Sequence, residues 1–121
     1  MRLFFILGSV LAGVGVALGA FAAHGLRNTL SAADLATFEV GVRYQMYHAL
    51  ALLAVAGAIA RWGSGTAVAA GWFFTAGILI FSGSLYVLVL TGPRWLGAIT
   101  PLGGVAFLVG WALLAWTALQ R

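Results

Sequence analysis

Polar side chains capable of ligand binding or proton transfer are concentrated in two stretches of an otherwise apolar chain. The first, GVRYQMYHALALL, is residues 41–53, and the second, FSGSLY, is residues 81–86. Histidine titrates near neutral pH, while hydroxyl and amide groups hold ligands by hydrogen bonds. The candidate binding residues are Arg43, Tyr44, Gln45, Tyr47, His48, Ser82, Ser84 and Tyr86, with His24 as a further candidate.

The elements that must position these residues are helices in a membrane. The chain has 121 residues, 64% hydrophobic and only 7% charged, against roughly 25% charged residues in an average soluble domain. Its four apolar segments each approach the roughly 20 residues that cross a bilayer as a helix. We therefore predict an all-α membrane protein, a single domain over residues 1–121, with four transmembrane helices in a compact bundle. Their ranges are about 3–23, 42–60, 66–90 and 97–119.

Two segments allow alternatives. The first span, with Arg2 before it and an A-x-A motif at residues 20–22, also resembles a signal peptide, but its run is longer than the roughly 7–15 apolar residues typical of one. We predict a retained helix. The last span either begins at Pro101 with Thr100 as its N-cap, or begins near Leu96 with a kink at Pro101.

The loop between the first two spans predicts a short amphipathic helix at about 32–41. Ser31 can cap it, with Asp34 in the acidic position of a capping box. Its apolar face and charged face suit the membrane surface, and Gly41 would then let the chain turn inward.

Both polar stretches are predicted to lie in the half of the membrane nearest this loop, which we name side A. The two sides of the membrane carry equal numbers of arginines, so the positive-inside rule gives no orientation from the count alone. If Arg43 is buried in a pair, the count on side A falls below that on the side of the termini. Such a pair favours both termini in the cytoplasm, which is our prediction.

Helical spacing pairs several candidate residues. Glu39 and Arg43 at i, i+4 predict a structural ion pair, and Tyr44 and His48 share the same spacing. Ionisable residues at membrane depth are functional candidates that need partners, and for His48 these are Tyr44 or the hydroxyls of the second stretch. The same residue types also join helices by hydrogen bonds of about 0.6 kcal/mol, so a purely structural role stays open.

Several chemistries have little support in the sequence. The chain has no cysteine, and two histidines with Asp34 or Glu39 are too irregularly spaced for a convincing metal site. Neither Ser82 nor Ser84 lies in a G-x-S-x-G turn. The net charge of +4 comes from scattered arginines without an aromatic platform, unlike a nucleic-acid surface. We predict no enzyme, no metal, no cofactor and no nucleic-acid partner.

The chain resembles the small multi-pass membrane proteins of domain of unknown function 423, which include transmembrane protein 256 of animals. The stretches that carry the resemblance are GAFAAHGL, FEVGVRYQMYHALALL, ILIFSGSLYVLVLTG and ITPLGGVAFLVGW. Ala22 departs from the family pattern, which has glycine there. The resemblance implies a four-helix fold in the bacterial cytoplasmic membrane and implies no activity.

Two functions remain as hypotheses. The first is a non-enzymatic binding or assembly protein whose polar groove near side A holds a lipid, a quinone-like ligand or a partner helix. The second is an oligomeric transporter or channel for a small solute or protons, with His48 titrating. Membrane lipids, a second copy of the chain or another membrane protein are the expected partners.

Overall fold

The computed structural model describes residues 1–63 and 65–120 and contains four helices in those ranges. Helix α1 spans Arg2–His24, α2 spans Ala32–Trp62, α3 spans Thr66–Thr91 and α4 spans Leu96–Leu119. Helix α3 contains a π-helical segment, Ile78–Ser82, between two α-helical parts. The described ranges contain no strand, so the prediction of an all-α protein is confirmed.

Three of the helices have the length and composition of membrane spans. The most apolar 18-residue stretches of α1, α3 and α4 have mean hydropathies of 2.3, 2.1 and 1.9, and the outer faces of these helices expose large apolar side chains such as Val16, Leu79 and Leu108. A helix that is apolar all round is typical of a membrane span. Helix α2 is longer, at 31 residues, but its polar residues leave it outside this set. A fourth span therefore stays a prediction.

Helix α2 lies at the centre of the bundle and contacts each of the other three helices. Its Leu52 and Val55 are fully buried and form the main core with Phe74 of α3 and Phe107 of α4. A second buried cluster joins Phe38, near the start of α2, to the end of α1. Of the functional candidates on α2, Gln45 and His48 are thereby buried between helices.

The loop helix predicted at 32–41 is not a separate element. Ser31 does cap a helix that begins at Ala32, accepting a 3.1 Å hydrogen bond from the Asp34 N–H, but this helix continues through Gly41 to Trp62. Gly41 allows the ring of Tyr86 to pack closely against α2, because a Cβ at this position would lie only 2.8 Å from that ring. The chain gains packing by continuing straight into the bundle.

Helix α4 begins at Leu96, which is the second of the two starts considered for it. Pro101 therefore lies inside the helix. Thr100 does not act as the N-cap, because its hydroxyl bonds to Ser84 of α3 and to the Leu96 carbonyl.

Helices α3 and α4 interlock through glycines that face phenylalanines. A Cβ on Gly77 would overlap the ring of Phe107, and one on Gly110 would overlap the ring of Phe74. At Gly103 the added atom would overlap the backbone nitrogen of Phe81, which cannot rotate away. Small residues allow this backbone approach, which is the usual basis of helix packing in membranes.

We expect Gly103→Ala to destabilise the protein by about 2 kcal/mol, because overpacking against a backbone atom forces the two helices apart. Gly104→Ala is the matched control, since its Cβ would meet only Cδ2 of the Phe81 ring, at 4.0 Å. Unfolding in detergent, followed by circular dichroism, measures both variants. Equal stability of the two would show that α3 and α4 are not packed at Gly103 as described.

Candidate functional site

His48 lies in the interior of the bundle with both ring nitrogens bonded. The side chain is only 4% exposed. Its Nδ1 is 2.7 Å from the Tyr44 carbonyl oxygen, and its Nε2 is 3.0 Å from Nε1 of Trp111. A carbonyl only accepts and an indole N–H only donates, so Nδ1 carries the proton and Nε2 accepts. The hydrogen-bond pattern thus specifies a neutral imidazole of one tautomer.

Aromatic rings surround this imidazole. The Phe107 ring is stacked on it with a centroid distance of 3.6 Å and an interplanar angle of 6°. Phe74 and Trp111 lie with their centroids 5.6 Å and 5.7 Å away, and Tyr44 lies on the same stack at 6.1 Å. His48 is therefore part of an aromatic cluster between α2, α3 and α4.

Gln45 joins three helices by a second, separate set of hydrogen bonds. Its Nε2 donates to the Leu11 carbonyl of α1 at 2.8 Å, and its Oε1 accepts from the Tyr86 hydroxyl of α3 at 2.7 Å. Beside it, the fully buried Ser82 hydroxyl donates to the Gly41 carbonyl at 2.6 Å. These side chains are bonded to each other or to backbone carbonyls, which leaves little capacity for a ligand.

Hydroxyl pairs join α3 and α4 on either side of His48. Ser84 bonds to Thr100 near side A, and Thr66 bonds to Thr117 at 2.6 Å toward the opposite side. Along α4, Trp111 is three turns from Thr100 and less than two turns from Thr117. His48 therefore lies between the two pairs along the length of α4.

The candidate residues are thus divided among several surroundings. His48 with the Tyr44 ring, Gln45 with Tyr86 and Ser82, and Ser84 with Thr100 form three groups, and neither Ser84 nor Tyr86 bonds to His48. Tyr47 is half exposed. His24 is exposed at the end of α1, away from the other candidates.

The predicted ion pair of Glu39 with Arg43 is not formed. Both side chains are exposed, and in the part of the chain that the structure describes no salt bridge joins them. Charges in contact with water or lipid headgroups gain little from pairing. The positive-inside count consequently stays tied.

Trp111 is the partner of His48 that sequence reasoning did not find. If the helix is taken to enter the membrane at Arg43, His48 lies near the membrane surface. Helix α2 starts at Ala32, however, and His48 lies about 24 Å along the helix from that residue. Trp111 lies about 22 Å along α4 from Leu96. An indole N–H inside a membrane needs a hydrogen-bond acceptor. The similar distances of His48 and Trp111 from the starts of their helices were therefore the sequence signal that could have paired these two residues.

A lateral groove of about 360 Å³ lies between α2 and α4. We name it the aromatic groove, and its lining residues are Tyr44, Tyr47, His48, Phe81, Gly104, Phe107, Leu108 and Trp111. Phe81, in the π-helical segment of α3, forms one wall, and its ring centroid is 4.8 Å from that of Tyr44. The groove offers ring faces and the hydroxyls of two exposed tyrosines.

Metal binding finds no geometric support in residues 1–63 and 65–120, where no group of three His, Cys, Asp or Glu side chains comes together. His48 is saturated by Tyr44 and Trp111. The site can hold an apolar or ring-bearing molecule by packing.

We expect Trp111→Phe to lower the free energy of unfolding by about 1 kcal/mol, because it keeps a ring but leaves His48 Nε2 without its donor. A double-mutant cycle with His48→Phe isolates the hydrogen bond, for which about 0.6 kcal/mol is the average in membrane helices. Nitrogen-15 NMR of the wild type should show a protonated Nδ1 and an unprotonated Nε2 at neutral pH. The opposite tautomer would contradict this assignment.

Comparison with known proteins agrees with the motifs. Residues 18–104 match the family described as protein of unknown function DUF423. A UPF0382 membrane protein of Staphylococcus saprophyticus is 52% identical over 114 residues, covering 94% of each chain. The UPF0382 membrane protein YwdK of Bacillus subtilis is 47% identical over 121 residues, covering 99% of this chain and 98% of that protein.

A UPF0382 membrane protein of Staphylococcus aureus is 51% identical over 114 residues, covering 94% of this chain and 93% of that protein. No solved structure matches the chain. The family match and these full-length relatives confirm the resemblance seen in the sequence, and the chain is an integral membrane protein that belongs to the DUF423 family of proteins of unknown function.

Proposed function

We propose that this protein is a non-enzymatic binding protein whose aromatic groove takes up a lipid-soluble molecule with a flat ring, of the quinone type, from the membrane. The observation that carries the proposal is the lining of the groove, in which the rings of Tyr44, Phe81, Phe107 and Trp111 surround about 360 Å³. Aromatic side chains favour stacked or edge-on contact with another ring.

The groove is built for lateral entry. Leu108 and Tyr47 at its rim are 71% and 52% exposed, so a molecule dissolved in the bilayer reaches it without crossing polar protein surface. Gly104 leaves open space, because its nearest neighbour in the groove is 4.0 Å from the position of a Cβ. Pockets with mostly apolar walls and a few polar groups are typical ligand sites.

The polar groups of the groove favour a ligand that accepts hydrogen bonds. His48 contributes the face of its ring, since both nitrogens are already bonded. Tyr44 and Tyr47 are exposed and bring hydroxyls that can donate to a ring carbonyl. The π-helical segment that carries Phe81 supports the proposal further, because such segments are frequent at functional sites.

The proposal includes α2 as a fourth span. Gln45 and His48 are buried and bonded to neighbouring helices, so α2 can be less apolar than a helix that faces lipid. We place the protein in the bacterial cytoplasmic membrane. Proton transport through His48 has less support, because protonating Nε2 would break its bond to Trp111.

We expect Gly104→Leu to fill the groove and abolish binding without unfolding the protein. Gly97→Leu is the matched control on the same helix, since a Cβ there meets nothing within 4 Å and Gly97 does not line the groove. Native mass spectrometry from mild detergent compares both with wild type, and thermal unfolding verifies the fold.

A discrete adduct present in wild type and Gly97→Leu but lost in Gly104→Leu supports the proposal, and its mass identifies the ligand. A phospholipid adduct that Gly104→Leu removes, or a doubled protein mass that it abolishes, would contradict a ring-bearing ligand in the groove. A ring-bearing adduct that survives the substitution would contradict its placement there. No adduct in wild type also contradicts it.

A further inference from the structure

A second cavity, more polar than the aromatic groove, lies at the side A end of the bundle where α2 begins and α3 ends. Its volume is about 350 Å³. It is lined by Asp34, Thr37, Leu88, Val89, Gly92 and Arg94. None of these residues lines the aromatic groove, so the cavity is independent of the proposed function.

Opposite charges line this cavity from two different elements. Asp34 belongs to the first turn of α2, and Arg94 lies in the turn between α3 and α4. Both side chains are exposed, and within the described ranges no salt bridge joins them. A carboxylate and a guanidinium that share a cavity without pairing are complementary to a ligand that carries both signs of charge.

The position of the cavity indicates a membrane lipid as the source of that ligand. Trp95, next to Arg94, is 66% exposed, and tryptophan is enriched at the level of lipid headgroups. Leu88 and Val89 add apolar surface to the lining of the cavity, and Val87 and Leu90 of the same helix are exposed. Charged groups beside apolar surface match the headgroup and acyl chains of one phospholipid.

We propose that this cavity binds the headgroup of a phospholipid with a primary amine, of the phosphatidylethanolamine class. The Arg94 guanidinium donates to the phosphate, and the Asp34 carboxylate accepts from the ammonium group. A choline headgroup lacks the N–H donors that Asp34 requires. An anionic headgroup without an amine leaves the Asp34 charge unpaired beside a phosphate.

The experiment measures lipid adducts by native mass spectrometry after the delipidated protein is mixed with equal amounts of phosphatidylethanolamine and phosphatidylcholine. The test variants are Asp34→Asn and Arg94→Gln. The controls are Glu39→Gln, an exposed carboxylate on the same helix, and Arg27→Gln, an exposed arginine of the preceding loop. Neither control residue lines the cavity.

The expected result is an excess of phosphatidylethanolamine adduct on wild type and both controls. Each test variant should lower that adduct by up to about fivefold, as for an exposed charge pair. Asp34→Asn should also remove the preference over phosphatidylcholine.

Equal adducts of the two lipids on wild type would overturn the proposal. So would test variants that change thermal stability but leave the lipid preference intact, because Asp34 would then serve only the start of α2. Competition by soluble phosphoethanolamine at the same concentration as the lipid would overturn the assignment to a membrane lipid.

Discussion

The fold depends on one constraint, which is that hydrocarbon offers no hydrogen-bond partner to a polar group. Helix α2 carries two of the buried polar side chains, Gln45 and His48, and both are bonded to neighbouring helices. Gln45 reaches α1 and α3, and His48 reaches α4. The central place of α2 follows, because only a helix surrounded by the others can have all these partners.

Close backbone approach is the second requirement, and glycine supplies it. Gly41 lets the Tyr86 ring lie across α2, which brings the hydroxyl of Tyr86 to Gln45. Gly103 lets α4 approach Phe81 in the π-helical segment of α3. The same segment brings Phe81 to the wall of the aromatic groove, so the packing that closes the bundle also shapes the candidate site.

The two hydrogen bonds of His48 limit the roles that this side chain can have. A histidine with a free nitrogen could bind a ligand or carry a proton, but both nitrogens of this one are bonded within the bundle. Its contribution to the aromatic groove is therefore a ring face. In the proposed binding function, hydrogen bonds to a ligand would come from the hydroxyls of Tyr44 and Tyr47, which are exposed.

The sequence by itself determined the class of protein, the all-α fold, the capped start of α2 at Ser31 and the family, because composition, capping residues and motifs are local signals. Only the tertiary structure decided that α2 runs through Gly41, that α4 begins before Pro101 and that Trp111 meets His48. Glycine in a sequence suggests a turn, but Gly41 instead allows α2 to contact the ring of Tyr86. Such contacts depend on how deeply each helix lies beside its neighbours, and that relative depth is set by packing between residues far apart in the chain.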